Sequence, residues 1–323
     1  MRILHTADWH LKHRHKYSQM CDNGIWDRMF EEKMKVLNQI PKIAKEYDAD
    51  IVCIAGDVFD STNPIEPIKK RFAELIKKFD IPTYIIAGNH DSVSTTNYAL
   101  MDLAEAFKGT ITLIGPGSMS VQDGIGMFHF MMDSIDDHYK NTIHYDDEMF
   151  SNYDIVLLGD YHSFFRRKYG NKLFTYSGTP YPTRFDEDNH SVSLIDTTTQ
   201  KISVVKLKSF KLVEYAVEFG ADKLTGSLKE LDNGESVVVK ITVTCKGSEL
   251  NEVKHIMNTH KNEICDNDNC IDLVYSIKTG NTSKLDRTQG RTIHSIAYDF
   301  IDSNCKYPKS AKKRYNSILA GGV

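Results

Sequence analysis

Cysteine is scarce in this chain. The six present (Cys21, Cys53, Cys245, Cys265, Cys270 and Cys305) are widely scattered and form no Cys-x-x-Cys pair. A disulfide framework is therefore not expected in a protein of 323 residues, and a reducing cytosol is the default compartment. Cys53 falls within an apolar run, where a buried thiol is the ordinary state. No apolar stretch approaches the roughly 18 residues of a membrane span. Met1-Arg2-Ile3-Leu4-His5 leads straight into polar residues, unlike a signal peptide, so a soluble cytoplasmic protein with no membrane partner is expected. An excess of one charge is missing as well: Lys and Arg total 40 against 44 Asp and Glu, for a net charge of −4 and a pI near 6.4. That excludes a coat of basic residues, but not nucleic-acid binding through a local patch. Internal repeats and low-complexity tracts are absent too. What remains, 41% hydrophobic and 26% charged residues, is ordinary globular composition, which excludes disordered, collagen-like and coiled-coil classes. At roughly 100–200 residues per domain the length suggests two domains.

Through the first two hundred residues short apolar runs alternate with segments of helical period. The runs Arg2–Ala7, Ile51–Ala55, Thr83–Ala87, Ile111–Ile114, Gly126–Met131 and Ile155–Leu158 are bounded by Gly, Asp or His and predict buried strands. Phe30, Met34 and Leu37 share a helical face, as do Ile68, Phe72, Leu75 and Phe79, with Pro67 suited to the first turn of the second helix. Pro41 should kink or end the first helix, although Ile43 and Tyr47 suggest that the pattern resumes. This βαβα alternation predicts a layered α/β fold. After Ser177-Gly178-Thr179-Pro180 the texture changes: Val192–Asp196 and Lys201–Lys206 predict a hairpin, and a domain boundary falls near Lys208–Leu212. Strands at Val213–Phe219, Ser236–Thr244 and Ile271–Ile277, with helices near Asp222–Leu231 and Leu250–His260, predict a smaller α+β unit. From Ser283 the pattern is helical and increasingly basic. The expected division is thus 1–207, 208–282 and a helical segment 283–323.

The chemistry lies where the strands end. Arg2–Ala7 runs into Asp8-Trp9-His10, Ile51–Ala55 into Gly56-Asp57, and Thr83–Ala87 into Gly88-Asn89-His90-Asp91. Gly126–Phe128 leads to His129, and Ile155–Leu158 to Gly159-Asp160-Tyr161-His162. In an open α/β sheet, ligands bind outside the carboxyl ends of the strands. Five strands would then deliver Asp8, His10, Asp57, Asn89, His129, Asp160 and His162 to one rim. Oxygen and nitrogen donors without a thiolate suit Mn²⁺ or Mg²⁺ better than Fe²⁺ or Zn²⁺. Seven donors are too many for one such ion but suit two sharing a bridging carboxylate, and two ions about 3.5–4 Å apart can clamp a phosphoryl group and activate water. The glycines before Asp57, Asn89 and Asp160 are expected to let the backbone turn sharply. Any single Asp or His at a strand end is commonly a turn or cap residue; the ordered set is what points to metals.

That ordered set resembles the calcineurin-like metallophosphoesterase family. Within it, Ile3-Leu4-His5-Thr6-Ala7-Asp8-Trp9-His10-Leu11, Gly56-Asp57-Val58-Phe59-Asp60, Ala87-Gly88-Asn89-His90-Asp91-Ser92 and Tyr176-Ser177-Gly178-Thr179-Pro180 are similar to the SbcD-type nucleases, including phage-encoded relatives. The likeness covers about the first 200 residues; the smaller unit agrees with that family's DNA-contacting capping domain only in size, position and α/β character. The resemblance implies that Asp8, His10, bridging Asp57 and His162 hold one metal, and that Asp57, Asn89, His129 and Asp160 hold the other. It makes His90 a catalytic residue over the scissile phosphate, stabilising charge or protonating the leaving oxygen. The family usually carries His at the place of Asp160, and a carboxylate there should shift preference towards harder ions. His138 and His144 compete with His129 for the middle position; His129 is preferred because it alone directly follows an apolar run.

Two basic runs are candidate DNA contacts: Lys12, Arg14 and Lys16 after the first ligands, and Arg166 and Arg167 after His162. Such runs are otherwise plain solvated faces. Asp266-Asn267-Asp268-Asn269 lacks the glycine and terminal glutamate of a calcium loop. The row Ile293, Ile296, Tyr298 (or Phe300) and Ile301, followed by Lys306, Lys309, Lys312, Lys313 and Arg314, could pack on its own domain or dock on a partner. The resemblance favours the partner, the coiled-coil root of an SbcC-like SMC-type ATPase. Family members often form homodimers, although no segment here stands out as a dimer helix. The expectation is a nuclease subunit hydrolysing DNA phosphodiesters, as exonuclease and endonuclease, with two divalent ions, Mn²⁺ before Mg²⁺. Its rivals are a phosphoesterase acting on protein or small-molecule phosphates, and a silent scaffold binding DNA or the ATPase.

Overall fold

The computed structural model describes residues 1–12, 25–94, 97–101, 103, 111–114, 118–133, 135, 142–219, 237–265 and 270–279. Arg14, Lys16, His138, the helix expected near 222–231, the acidic loop 266–269 and the segment 283–323 lie outside those residues.

Two sheets stack face to face. The first has strand order β13-β12-β1-β2-β3-β6, from β1 (Arg2–Thr6), β2 (Ile51–Ala55), β3 (Thr83–Ile86), β6 (Ile111–Ile114), β12 (Ser191–Asp196) and β13 (Lys201–Lys206). Its β1, β2, β3 and β6 run parallel, and β12 and β13 form the hairpin expected from the sequence. The second sheet has order β10-β11-β9-β8-β7, from β7 (Ser118–Gln122), β8 (Gly124–His129), β9 (Tyr153–Gly159), β10 (Phe165–Tyr169) and β11 (Lys172–Tyr176). β8, β9 and β11 are parallel, with antiparallel edges. A small ribbon, β4 (Ser92–Ser94) with β5 (Asn97–Tyr98), follows the loop after β3.

Alternation along each strand explains the layering. Ile3, Cys53, Ala55 and Ile86 face inward against Met127, Ile155 and Leu157 of the second sheet. Leu4, Val52, Ile54 and Ile85 face outward, under α1 (Ile25–Leu37), α2 (Ile40–Glu46) and α3 (Glu66–Ile76). The outer face of the second sheet is closed by an aromatic cluster of Phe128, Phe150, Phe174 and Tyr176. Pro41 neither kinks nor extends the first helix. The chain breaks after Leu37, and Pro41 opens α2, where its missing N–H costs nothing. Pro67 opens α3 in the same way.

Beyond β13 a three-stranded sheet follows, all parallel, in the order β14 (Lys211–Glu218), β15 (Val237–Cys245) and β16 (Cys270–Thr279), with α4 (Leu250–Cys265) between the last two. It is joined to the main body by Val238, which belongs to the helix-side core, and by Lys240, whose ammonium lies 5.4 Å from the Phe185 ring centre.

Candidate metal centre

Every parallel strand that was expected to deliver a donor does so at its carboxyl end. β1 supplies Asp8 and His10, β2 supplies Asp57, the loop after β3 supplies Asn89 and His90, β8 ends in His129, and β9 leads to Asp160 and His162. Three groups of donors have ligand atoms close enough to share an ion: Asp8 with His10 and His162, Asp8 with Asp57 and His129, and His10 with Asp60 and His90. The first two share Asp8. Asp57 lies between them, with one oxygen 3.6 Å from His10 Nε2 and the other 3.4 Å from His129 Nε2. Asn89 Oδ1 is 3.0 Å from His129 Nε2, which places it on the second group.

The backbone at these ends is held in an uncommon form. Asp8, His10, Asp57 and Asp160 all have positive φ, at 56°, 41°, 49° and 93°. Such residues cost stability and persist only where neighbours over-determine them. Here the Asp8 amide donates to Gly56 O, and the His10 and Leu11 amides to Asp57 O and Val58 O, tying the first loop to the second. Asp91, fully buried, accepts from the Val58, Phe59 and Gly88 amides and ties the third loop to the second. Burial pushes the Asp91 carboxyl up to about 7, with Asp57 adding to the rise and those amides opposing it. The expectation that glycines make the turns is correct only for Gly56, with φ of 88°. Gly88 and Gly159 serve close approach instead: a Cβ on the first would stand 2.0 Å from Asp57 Oδ1, and on the second 1.9 Å from Ala55 O.

All three ligand-type histidines are tied at Nδ1, leaving Nε2 to face the cluster. His129 Nδ1 meets Ala55 O at 2.7 Å, His10 Nδ1 meets Asp60 Oδ1 at 3.3 Å, and His162 Nδ1 meets Glu187 Oε1 at 2.5 Å. This is the second-sphere pattern that orients imidazoles for metals. The charges agree. Burial lowers the His129 pKa, but the Asp57 and Asp8 carboxylates outweigh it and hold the ring up to about 10. Asp57 is shifted down despite its burial, by His129, His10 and the His90 amide. Asp8, fully buried, is shifted up by burial, against the pull of the surrounding histidines. The donor set, with Nε2 atoms turned into the cluster and a carboxylate between two groups, fits a pair of divalent ions: Asp8, His10, Asp57 and His162 would hold one, and Asp57, Asn89 and His129 the other.

One expected ligand sits differently from its implied role. The Asp160 carboxylate belongs to none of the three groups; its backbone N–H instead donates to Asp8 at 3.0 Å, and its side chain lines the cleft. His144, the rival to His129, is exposed and paired with Asp133 at 2.9 Å. His90 stands beside the ligands, half-exposed, with its ring edge-on to His10.

Sequence reasoning missed three participants. Asp60 accepts from His90 Nδ1 at 2.8 Å, from His10 and from Lys12 Nζ, and these partners overcome burial to hold its carboxyl far below the usual range. It lay in view inside Gly56–Asp60, three residues after a ligand. Lys33 reaches from α1 to donate to His10 O at 3.2 Å; burial and nearby Lys12 lower it to about 7, against Asp60. Its helical position is consistent with a solvated face, so nothing local announced it. Glu187, in the turn after Tyr181, was equally silent.

The cleft above the donors has a volume of about 440 Å³ and is lined by His10, Asp57, His90, Asp160 and His162 together with Lys12, Lys33 and Arg184. Such a rim is that of a metal-dependent phosphoester hydrolase. Residues 1–196 match the calcineurin-like phosphoesterase family, and the chain belongs to it, a family of dinuclear metal-dependent enzymes. Among solved structures the chain is similar to an archaeal phosphodiesterase (13% identity, 64% of this chain and 100% of that one, TM-score 0.42). It is also similar to Vps29 of Entamoeba histolytica complexed with Zn²⁺ (14% identity, 62% and 89%, TM-score 0.32). A predicted phosphoesterase of Streptococcus pneumoniae TIGR4 is similar as well (13% identity, 60% and 81%, TM-score 0.31). No helix among the described residues is long and apolar enough to cross a membrane.

Proposed function

We propose that this phosphoester hydrolase is a DNA nuclease of SbcD type, hydrolysing phosphodiesters as exonuclease and endonuclease within an SbcCD-like complex. The observation that carries the reading is the cleft wall. In a chain of net charge −4, Lys12 and Arg184 line the cleft over one anionic cluster, with the buried Lys33 also on its wall. That is the arrangement to receive a polyanionic backbone around a scissile phosphate. Just past His162, Arg166 and Lys168 lie exposed on β10, an edge strand of its sheet that runs away from the rim, with Arg166 the nearer of the two. Arg167 has other work: its guanidinium stacks 4.5 Å from the centre of the Tyr145 ring. The motifs flanking the ligands support the same branch.

Mn²⁺ is the proposed metal, with Mg²⁺ as its substitute; when bound, such ions polarise phosphoryl oxygens and make water more acidic. The chain's own contribution is the Asp60–His90 pair. Asp60 accepts from Nδ1 and so directs the other ring nitrogen towards the cleft. The bond to Asp60 raises the His90 pKa, against partial burial, with Asp57 adding to it. His90 therefore holds its proton more firmly than an ordinary histidine and is suited to give it to the leaving oxygen. The rest of the complex would be an SMC-type ATPase bound through residues 283–323, and a homodimer is part of the proposal.

The test is a metal-dependent assay on labelled duplex and single-stranded DNA beside an aryl phosphodiester. DNA cleavage that falls when Lys12 and Arg184 are made neutral is expected. Brisk turnover of the small ester with DNA left intact would favour a phosphoesterase for small substrates. Deleting residues 283–323 should leave small-ester turnover intact and end association with the ATPase.

A further inference from the structure

Glu187 lies outside every motif that pointed to the site, in the turn between β11 and β12. Its side chain is only 5% exposed, and its carboxylate collects donors from three residues. Oε1 accepts from His162 Nδ1 at 2.5 Å and from Arg184 Nε at 3.2 Å. Oε2 accepts from the Thr183 and Arg184 amides at 2.6 and 3.1 Å, and the Thr183 hydroxyl is 3.0 Å from both oxygens. A buried carboxylate is tolerated only when hydrogen bonds replace its water. Here the replacement couples a metal-ligand histidine to a cleft-lining arginine.

The consequence for His162 is chemical. A carboxylate can only accept, so the imidazole proton must sit on Nδ1, which leaves the Nε2 lone pair for a cation. That nitrogen lies 3.2 Å from His10 Nε2, within the group formed with Asp8. We propose that Glu187 is a positioning residue of the metal centre, holding His162 in its Nδ1–H tautomer and anchoring Arg184 at the cleft mouth. The proposal rests on Asp8, His10 and His162 forming a metal site, and not on the substrate being DNA.

Glu187→Gln separates this role from packing. The two backbone amides at Oε2 demand the carboxamide oxygen, so the NH₂ group faces His162 and donates to Nδ1. The imidazole proton then moves to Nε2 and blocks the ligand atom. In the full-length, metal-free protein, NMR of ¹⁵N-labelled histidine in alkaline buffer should show His162 protonated at Nδ1, the signal being assigned by its loss in His162→Ala. Glu187→Gln should show it protonated at Nε2, and calorimetric titration with Mn²⁺ should give an affinity about 10–100-fold weaker. Adding Glu187→Gln to His162→Ala should cost no further affinity. Glu187→Asp, still an acceptor, should lose less than Glu187→Gln. An Nε2–H tautomer in the wild type overturns the proposal whether or not any variant folds, and so does unchanged Mn²⁺ affinity in a folded Glu187→Gln protein. Asp8→Ala serves as the control: unchanged Mn²⁺ binding there would remove the metal site itself, a failure distinct from that of Glu187.

Discussion

Two histidines of the first two hundred residues are buried in different regions and are driven in opposite directions. His5, fully buried between the sheets, is pushed by burial down to about 3, a contact with the Leu158 backbone opposing in part. His129, with a side chain 2% exposed at the rim, suffers the same desolvation and yet stands at about 10. The difference is the carboxylates. His5 is flanked across the sheet by Cys53 and Ser193, which carry no negative charge at neutral pH, whereas His129 lies against Asp57 and near Asp8. Burial alone makes a histidine neutral; burial beside carboxylates makes a pocket that demands a cation. The inter-sheet core and the metal rim are therefore built from one residue type used in two ways.

The harshest way to break this contrast is Asp57→Ala. It removes the carboxylate between the two donor groups and should abolish phosphodiester hydrolysis and sharply lower Mn²⁺ binding. In the metal-free protein His129 should then titrate well below its wild-type value, moving towards the behaviour of His5, in a histidine NMR titration. Near wild-type turnover would remove the two-metal centre. Next in size is His90, whose charge depends on Asp60 and not on burial. His90→Ala should lose about 10²–10⁴-fold in rate with Mn²⁺ binding unchanged, since the group protonates and does not ligate. Loss of metal in that variant would make His90 a ligand.

His5 carries a stability prediction of the opposite kind. Its folded pKa lies below its unfolded one, so the unfolded chain binds the extra proton. The stability tied to a neutral His5 is present above about pH 6.5 and is lost as pH falls towards 3. Between pH 7 and pH 5 the loss should be about 2 kcal/mol. Urea unfolding of wild type and His5→Leu at both pH values measures it; an equal pH slope in the two proteins would mean His5 is not the source. The smallest effect concerns Asp160. If its carboxylate serves the second ion, Asp160→Ala should reduce hydrolysis with both metals, and Asp160→His should weaken Mg²⁺-supported relative to Mn²⁺-supported rates by several-fold. Activity of Asp160→Ala equal to wild type with either ion would leave only the backbone N–H to Asp8 as its role, which alanine retains.

Most of the rim was legible in the residues alone, because an apolar run followed by Asp, Asn or His is a local signal. β2 and β6 fall on their expected bounds, and His129 was separable from His144 because only one of them directly follows a strand. The edge strands β7 and β10 escaped notice, as did β11 beside β10: Ser118–Gln122 and Phe165–Tyr169 mix polar and charged residues with apolar ones, as exposed edges do. What tertiary structure alone decided is which sheet each strand joins and what stands behind each ligand. Asp60, Lys33 and Glu187 reach the site from a loop, a helix and a distant turn, so no spacing in the chain relates Glu187 to a histidine 25 residues away. The first coordination sphere comes from strand ends, which periodicity reveals. The groups that set tautomer, charge and strain come from whatever the fold packs against them, and only folding in three dimensions determines that.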